Sequence, residues 1–187
     1  MALISGSSLQ PTTTAAAAQS KSWTLLNTYE AANSSIVEIT DFSTEYDDYI
    51  IYIDRISSTS NGARLRMRAN DIISNYSYSI NAASGSSYNG IFSGGDSSWS
   101  IGSITTNTPE SNNYNYSSYI LQFNDINAGN TKPHFISQGT ALYSNSTYIA
   151  SGSGHLKEPI TTIQKIGIYP DSGTLTTGKF RVYGIKG

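Results

Sequence analysis

The chain has 187 residues, 37% of them hydrophobic and only 13% charged, with a formal net charge of −2 and no cysteine. That length suits one domain with a real core, and the near-neutral balance lacks the basic surplus that draws a domain to nucleic acid or to an anionic membrane, so neither partner is expected. Without cysteine there are no disulfides and no thiolate metal sites, while Ser, Thr, Asn, Gly and 14 Tyr give a composition that favours strands and turns over helices.

Residues 1–22 are small and polar, carry no Tyr, and are broken by Pro11 ahead of a Thr run and an Ala run. They have neither the basic start nor the apolar core of a secretory signal. Composition alone describes a disordered tail. The residues able to anchor it are Leu3, Ile4, Leu9 and Pro11, and the segment reads as an extended arm ordered by contact with a neighbouring subunit or another protein.

The globular part, residues 23–187, opens with 23–29 (WTLLNTY) and 35–40 (SIVEIT) as two strands around a turn-prone 31–34. Residues 48–70 (DYIIYIDRISSTSNGARLRMRAN) read as a hairpin, its arms joined by a polar loop ending in Asn61 and Gly62, a pair that tolerates φ > 0. On the first arm Tyr49, Ile51 and Ile53 share one face and Ile50 and Tyr52 the other, which suits a central strand covered on both sides. On the second, Leu65 and Met67 point one way and Arg64, Arg66 and Arg68 the other, so the arginine face must meet water, acids or a partner and supplies candidate assembly contacts. Residues 72–80 alternate in part, and 81–95 read as a loop-rich, partner-facing stretch punctuated by Gly85, Gly90, Gly94 and Gly95. Further strands are expected at 99–105, 114–123 (YNYSSYILQF), 133–143 (PHFISQGTALY, with a kink at Gly139), 146–151, 160–169 (ITTIQKIGIY) and 179–186 (KFRVYGIK), with a loop at 152–159. No segment shows the 3.6-residue period of a surface helix. About eight to ten short strands with polar turns predict an all-β fold, an antiparallel two-sheet sandwich of jelly-roll type.

Chemistry-bearing patterns are scarce. His134 and His155 stand far apart, each without a second ligand at metal-binding spacing, so no metal is expected. Nucleophile-elbow, phosphate-loop, dinucleotide and calcium-loop motifs are missing. Glu38, Asp41, Glu45, Asp47, Asp48 and Asp54 gather around the hairpin, and a glycosidase needs only two carboxylates about 5–10 Å apart. With Arg55, Arg64, Arg66 and Arg68 in the same stretch, ion pairing on a solvated or interfacial face is favoured over a catalytic or anion-binding reading, and neither enzyme activity nor a cofactor is expected. Tyr-rich polar segments around Tyr76, Tyr78, Tyr114, Tyr116 and Tyr119 have the composition of adaptable binding surfaces, and Tyr114 and Tyr116 are candidate glycan contacts. The plain alternative is that Tyr is a good strand residue.

The last part of the chain carries an apolar strand at 163–169, then Ser172, Gly173 and Thr174, then Arg181, Val182, Tyr183, Gly184 and Ile185. This ending, with the earlier ARLRMRAN, resembles a family of small tailed-bacteriophage virion proteins that close on a strand, a Ser-Gly-Thr loop and an Arg-(Leu/Val)-Tyr-Gly-(Ile/Val) strand. It departs from that pattern in the extra residues 175–179. The resemblance implies a jelly-roll structural protein of the capsid surface or a tail appendage, assembled in the host cytoplasm with other virion proteins and carrying no catalytic residues. The expected protein is a homo-oligomeric capsid decoration or tail-appendage protein, trimer favoured, docking through its N-terminal arm. The alternative is a receptor-binding tail-fibre module that holds a host surface glycan in Tyr-rich loops.

Overall fold

The computed structural model describes residues 22–60, 62–84, 87–104, 116–124, 126, 129, 132–143 and 146–186. Leu3, Ile4, Leu9, Pro11 and Asn61 lie outside them. The described residues form twelve strands and no helix: β1 (Ser22–Glu30), β2 (Val37–Ile39), β3 (Asp48–Ser58), β4 (Arg64–Ala69), β5 (Tyr76–Ser84), β6 (Ser87–Asp96), β7 (Trp99–Ser103), β8 (Ser117–Phe123), β9 (His134–Tyr143), β10 (Ser146–Leu156), β11 (Ile166–Pro170) and β12 (Leu175–Lys186). They build an eight-stranded sheet, ordered β1-β12-β3-β8-β9-β10-β5-β6, and a four-stranded sheet, ordered β2-β11-β4-β7. Every named strand pairing is antiparallel. The all-β sandwich expected from composition and alternation is therefore the architecture observed.

One organising expectation is corrected. The two arms of the 48–70 stretch do not pair with each other: β3 lies in the large sheet between β12 and β8, and β4 in the small sheet between β11 and β7. Alternation identified both strands correctly. The residues between them form a corner that carries the chain from one sheet to the other, with Gly62 at φ 72° inside it. The inner-facing Ile51 and Ile53 thus enter the common core from one sheet and Leu65 and Met67 from the other, and all four are 0–1% exposed.

The core between the sheets contains a chain of aromatic rings. Tyr46 lies 6.0 Å from Tyr49, Tyr49 5.0 Å from Phe42, and Phe42 6.4 Å from Phe123. From there Phe123 lies 6.2 Å from Phe135, Phe135 5.2 Å from Trp99, and Trp99 4.7 Å from Tyr76 in an edge-on contact. Such contacts contribute beyond the area they bury. Rings of this size need gaps in the facing strands, and glycines supply them. A Cβ on Gly154 would stand 2.5 Å from Phe135 Cε1 and 2.8 Å from both Trp99 Cδ1 and the Ser77 carbonyl, and one on Gly102 would stand 2.5 Å from the Tyr119 hydroxyl.

Glycine and serine also mark where alternation misleads. The described residues of 81–95 belong to the paired strands β5 and β6 rather than to a loop, Gly85 lying outside them, and β10 continues through Gly152 and Gly154 to Leu156. Glycine and serine in these strands leave no hydrophobic period to read, although backbone pairing is continuous. In contrast, 160–165 precedes the strand that starts at Ile166, and residues 175–179 extend β12, with Leu175 wholly buried.

Tyr76 ties the two sheets together: its hydroxyl accepts from the Ala69 N–H at 3.0 Å and donates to the Ile72 carbonyl at 2.9 Å. Burial is the main reason its phenol is pushed up to about 12. The folded protein keeps this proton where the unfolded chain has released it, so stability is full below about pH 10 and declines as pH rises toward about 12. Chemical denaturation across this alkaline range should show that decline, made shallower by Tyr76→Phe, which itself costs about 1–2 kcal/mol at neutral pH by stranding buried backbone groups. Gly154→Ala should cost about 1–3 kcal/mol in the same measurement, because the added methyl overpacks Phe135, Trp99 and a backbone carbonyl.

Candidate functional site

β3 runs regularly to Ile53 and then bulges. Its register with β8 jumps between Ile53 and Ile56, and the register of β12 on β3 shifts on either side of Thr177. Arg55 sits in the bulge at φ 54°. The other described non-glycine residues with positive φ are Asn33, Asn70, Asp71 and Asn75, types whose short polar side chains tolerate the left-handed region. Arginine has no such compensation, and the conformation costs on the order of 1–2 kcal/mol. Neighbours hold it in place: the Arg55 N–H donates to Ser118 Oγ at 3.3 Å, and Thr177 Oγ1 donates to the Arg55 carbonyl at 3.0 Å.

A bulge re-aims a side chain. Here it carries the Arg55 guanidinium to 4.8 Å above the Tyr116 ring. The two residues line a depression of about 460 Å³ together with Glu30, Ala31, Asp54, Thr177, Gly178, Lys179 and Arg181. Lys179 pairs with Glu30 at 3.0 Å, and Arg181 approaches Asp54 at 3.9 Å. None of the ion pairs among the described residues uses Arg55. On the outer face of the large sheet a second depression, about 790 Å³, shares Asp54 and Arg181 and continues over Ile120 and Ile149, edged by Ser118, Gln138, Thr140 and Ser151.

Tyr116 thus lines the first depression, whereas Tyr114 lies outside the described residues. The three arginines of β4 are separated in environment. Arg66 donates to the Tyr78 hydroxyl at 3.1 Å and reaches Asp96 at 4.0 Å; Arg68 donates to the Ser97 carbonyl at 3.1 Å and stacks 4.9 Å from the Tyr169 ring. Arg64 remains exposed. Hydrogen bonds from Ser93 and Tyr78, reinforced by Arg66 and Arg64, hold the Asp96 carboxyl below its ordinary value.

Acids near the 48–70 stretch find other partners than those arginines. Glu38 and Asp71 each reach Lys165 Nζ at 2.8 Å, Glu45 lies 3.5 Å from Lys186, and Asp41 accepts from Tyr29 and Asn27. With β3 and β4 in opposite sheets, the lysines beside β11 and at the end of β12 are simply nearer. His134 and His155, distant in sequence, prove to be register partners on β9 and β10, both exposed and flanked by the bond from Leu156 N–H to the Pro133 carbonyl at 2.9 Å. Among the described residues no group of three or more His, Cys, Asp or Glu is placed to hold a metal ion.

No family model matches the chain, and neither a curated protein nor a solved structure matches it. The site therefore has to be read from its own geometry. Arg55 is its least expected member, since no local sequence signal marks a left-handed arginine. Arg55→Gly, which removes the strain, should leave unfolding stability unchanged or raise it by up to about 1 kcal/mol, whereas Arg55→Val, β-branched in the same conformation, should lower it by about 1–2 kcal/mol. Equal losses for both variants in denaturant titrations would show that the bulge does not store strain.

Proposed function

We propose that the chain is a bacteriophage virion structural protein of jelly-roll type, an oligomeric capsid decoration or tail-appendage protein assembled in the host cytoplasm. The observation that carries this reading is the outer face of the eight-stranded sheet. By alternation and register, Trp23, Leu25, Tyr88, Phe92, Ile120, Ile136 and Ile149 all project from that face, and each is at least 40% exposed. Among the described residues the ionised groups there gather at one corner, Glu30 with Lys179 and Asp54 with Arg181. Eight strands about 4.8 Å apart and about 25 Å long present roughly 1,000 Å², above the roughly 800 Å² that one partner contributes to a standard interface. A face of this extent bearing seven exposed apolar side chains suits burial against further copies.

Topology supports the jelly-roll reading. The small-sheet order β2-β11-β4-β7 and the large-sheet order of β3, β8, β5 and β6 follow the interleaving of two Greek keys, with the β9–β10 hairpin inserted between β8 and β5, and with β12 and β1 added beyond β3. The terminal resemblance points the same way: Gly184 of the Arg181–Ile185 motif packs where a Cβ would stand 2.5 Å from Tyr46 Cγ, so the motif glycine answers a packing need. Ser22, the last residue of the proposed docking arm, begins β1, an edge strand of the large sheet that carries Trp23 and Leu25.

Light scattering of the purified chain should give a closed oligomer, a trimer by preference. Ile149→Glu and Phe92→Glu should each dissociate it while leaving the far-ultraviolet circular dichroism of the sheets intact. A chain that is monomeric at all concentrations, or that enters virions normally without residues 1–21, would contradict this assignment.

A further inference from the structure

We infer that the Arg55 bulge is a binding site for a carboxylate-bearing sugar at the end of a glycan, whose following rings lie along the outer face toward Ile120 and Ile149. This goes beyond the assembly reading: Arg55 and Tyr116 play no part in that reading, whereas Ile120 and Ile149 belong to the face it uses, so a glycan seated there competes with a neighbouring copy. Strain is the first reason. An arginine is held in a left-handed conformation where glycine would be cheaper, by hydrogen bonds from two neighbouring strands, with its guanidinium set on the face of Tyr116. The cation–π contact orders the guanidinium without consuming its N–H donors, and a pre-ordered guanidinium fork matches a planar carboxylate.

Charge selects the class of anion. Among the described residues the depression is lined by three cations, Arg55, Lys179 and Arg181, and by two carboxylates, Glu30 and Asp54. Lys179 and Arg181 already face Glu30 and Asp54. One positive charge is left over, enough for a monoanion, while a phosphate dianion would meet two carboxylates in the wall. The adjoining depression sets the chemistry of the rest of the ligand. Apolar Ile120 and Ile149 flanked by the hydroxyl and amide groups of Ser118, Thr140 and Gln138 repeat the mixed character of a pyranose, an apolar ring face bordered by hydroxyls.

Calorimetric titration of the full chain with sialyllactose, a glucuronate-terminated oligosaccharide, sulfated lactose and lactose tests the assignment. At least one carboxylated sugar should bind, with lactose at least tenfold weaker and sulfated lactose weaker than the better carboxylated probe. Arg55→Gly and Tyr116→Ala should each weaken that binding at least tenfold while the unfolding curve stays as steep and no lower in midpoint for Arg55→Gly, and Arg55→Lys should fall between. Binding of lactose as tight as the acidic sugars, preference for sulfate, full retention of affinity in Arg55→Gly, or no binding of either carboxylated probe would overturn it.

Discussion

The rest of the structure depends on the placement of β3 between two strands that are distant from it in sequence. Tyr49 pairs with Gly184 on one side and Phe123 on the other, and Ile51 with Val182 and Leu121. Both edges of β3 are paired and its inner face lies in the core, and Ile50, Ile51 and Ile53 are all 5% exposed or less. Closing these pairs requires ordering most of the chain first, because the ladder joins the beginning of the domain to its last strand. Such a fold gains little from local contacts and is expected to form slowly and cooperatively.

The same placement creates the site. A regular strand would send residue 55 into the alternation of the sheet; the bulge shared with β8 and β12 turns it out toward Tyr116 instead. Ser118 and Thr177, which fix the Arg55 backbone, belong to those two neighbours, so the geometry exists only after both ladders have closed. The core answers a different demand. Its aromatic chain passes through both sheets, and Gly102, Gly139 and Gly154 clear the volume for Tyr119, Phe135 and Trp99. Burial also pushes the Tyr119 phenol well above its ordinary value, as befits a ring clamped between sheets.

Much of the fold was legible from alternation. β1, β2, β3, β4, β7, β8, β9 and the core of β12 fall where period-2 runs place strands, and the two-sided apolar character of β3 marks it as central. What alternation does not encode is partnership. The polar corner after β3 has the same Asn-Gly chemistry as a hairpin turn, and nothing local distinguishes a return to the same sheet from a crossing to the other. The second half of β10 lacked a readable period because its glycines stand where side chains would alternate, Gly154 leaving room for Phe135 and Trp99, and β6 lacked one because glycine and serine fill half of it. The site was legible only in part: Tyr116 stood out by its surroundings, whereas Arg55 looked like one more charge beside acids. The acid–arginine pairing expected within one hairpin failed for the same reason, since the hairpin is two strands in two sheets.

The central claim is that β3 is a bulged interior strand held by β12 and β8. Nuclear Overhauser contacts along the backbone of the labelled protein test it most directly. The account predicts cross-strand contacts from Ile51 to both Val182 and Leu121, a break in the ladder between Ile53 and Ile56, and the strong intraresidue amide-to-Hα contact of a positive φ at Arg55. Backbone contacts between residues 51–53 and 65–67, with a regular extended Arg55, would contradict it.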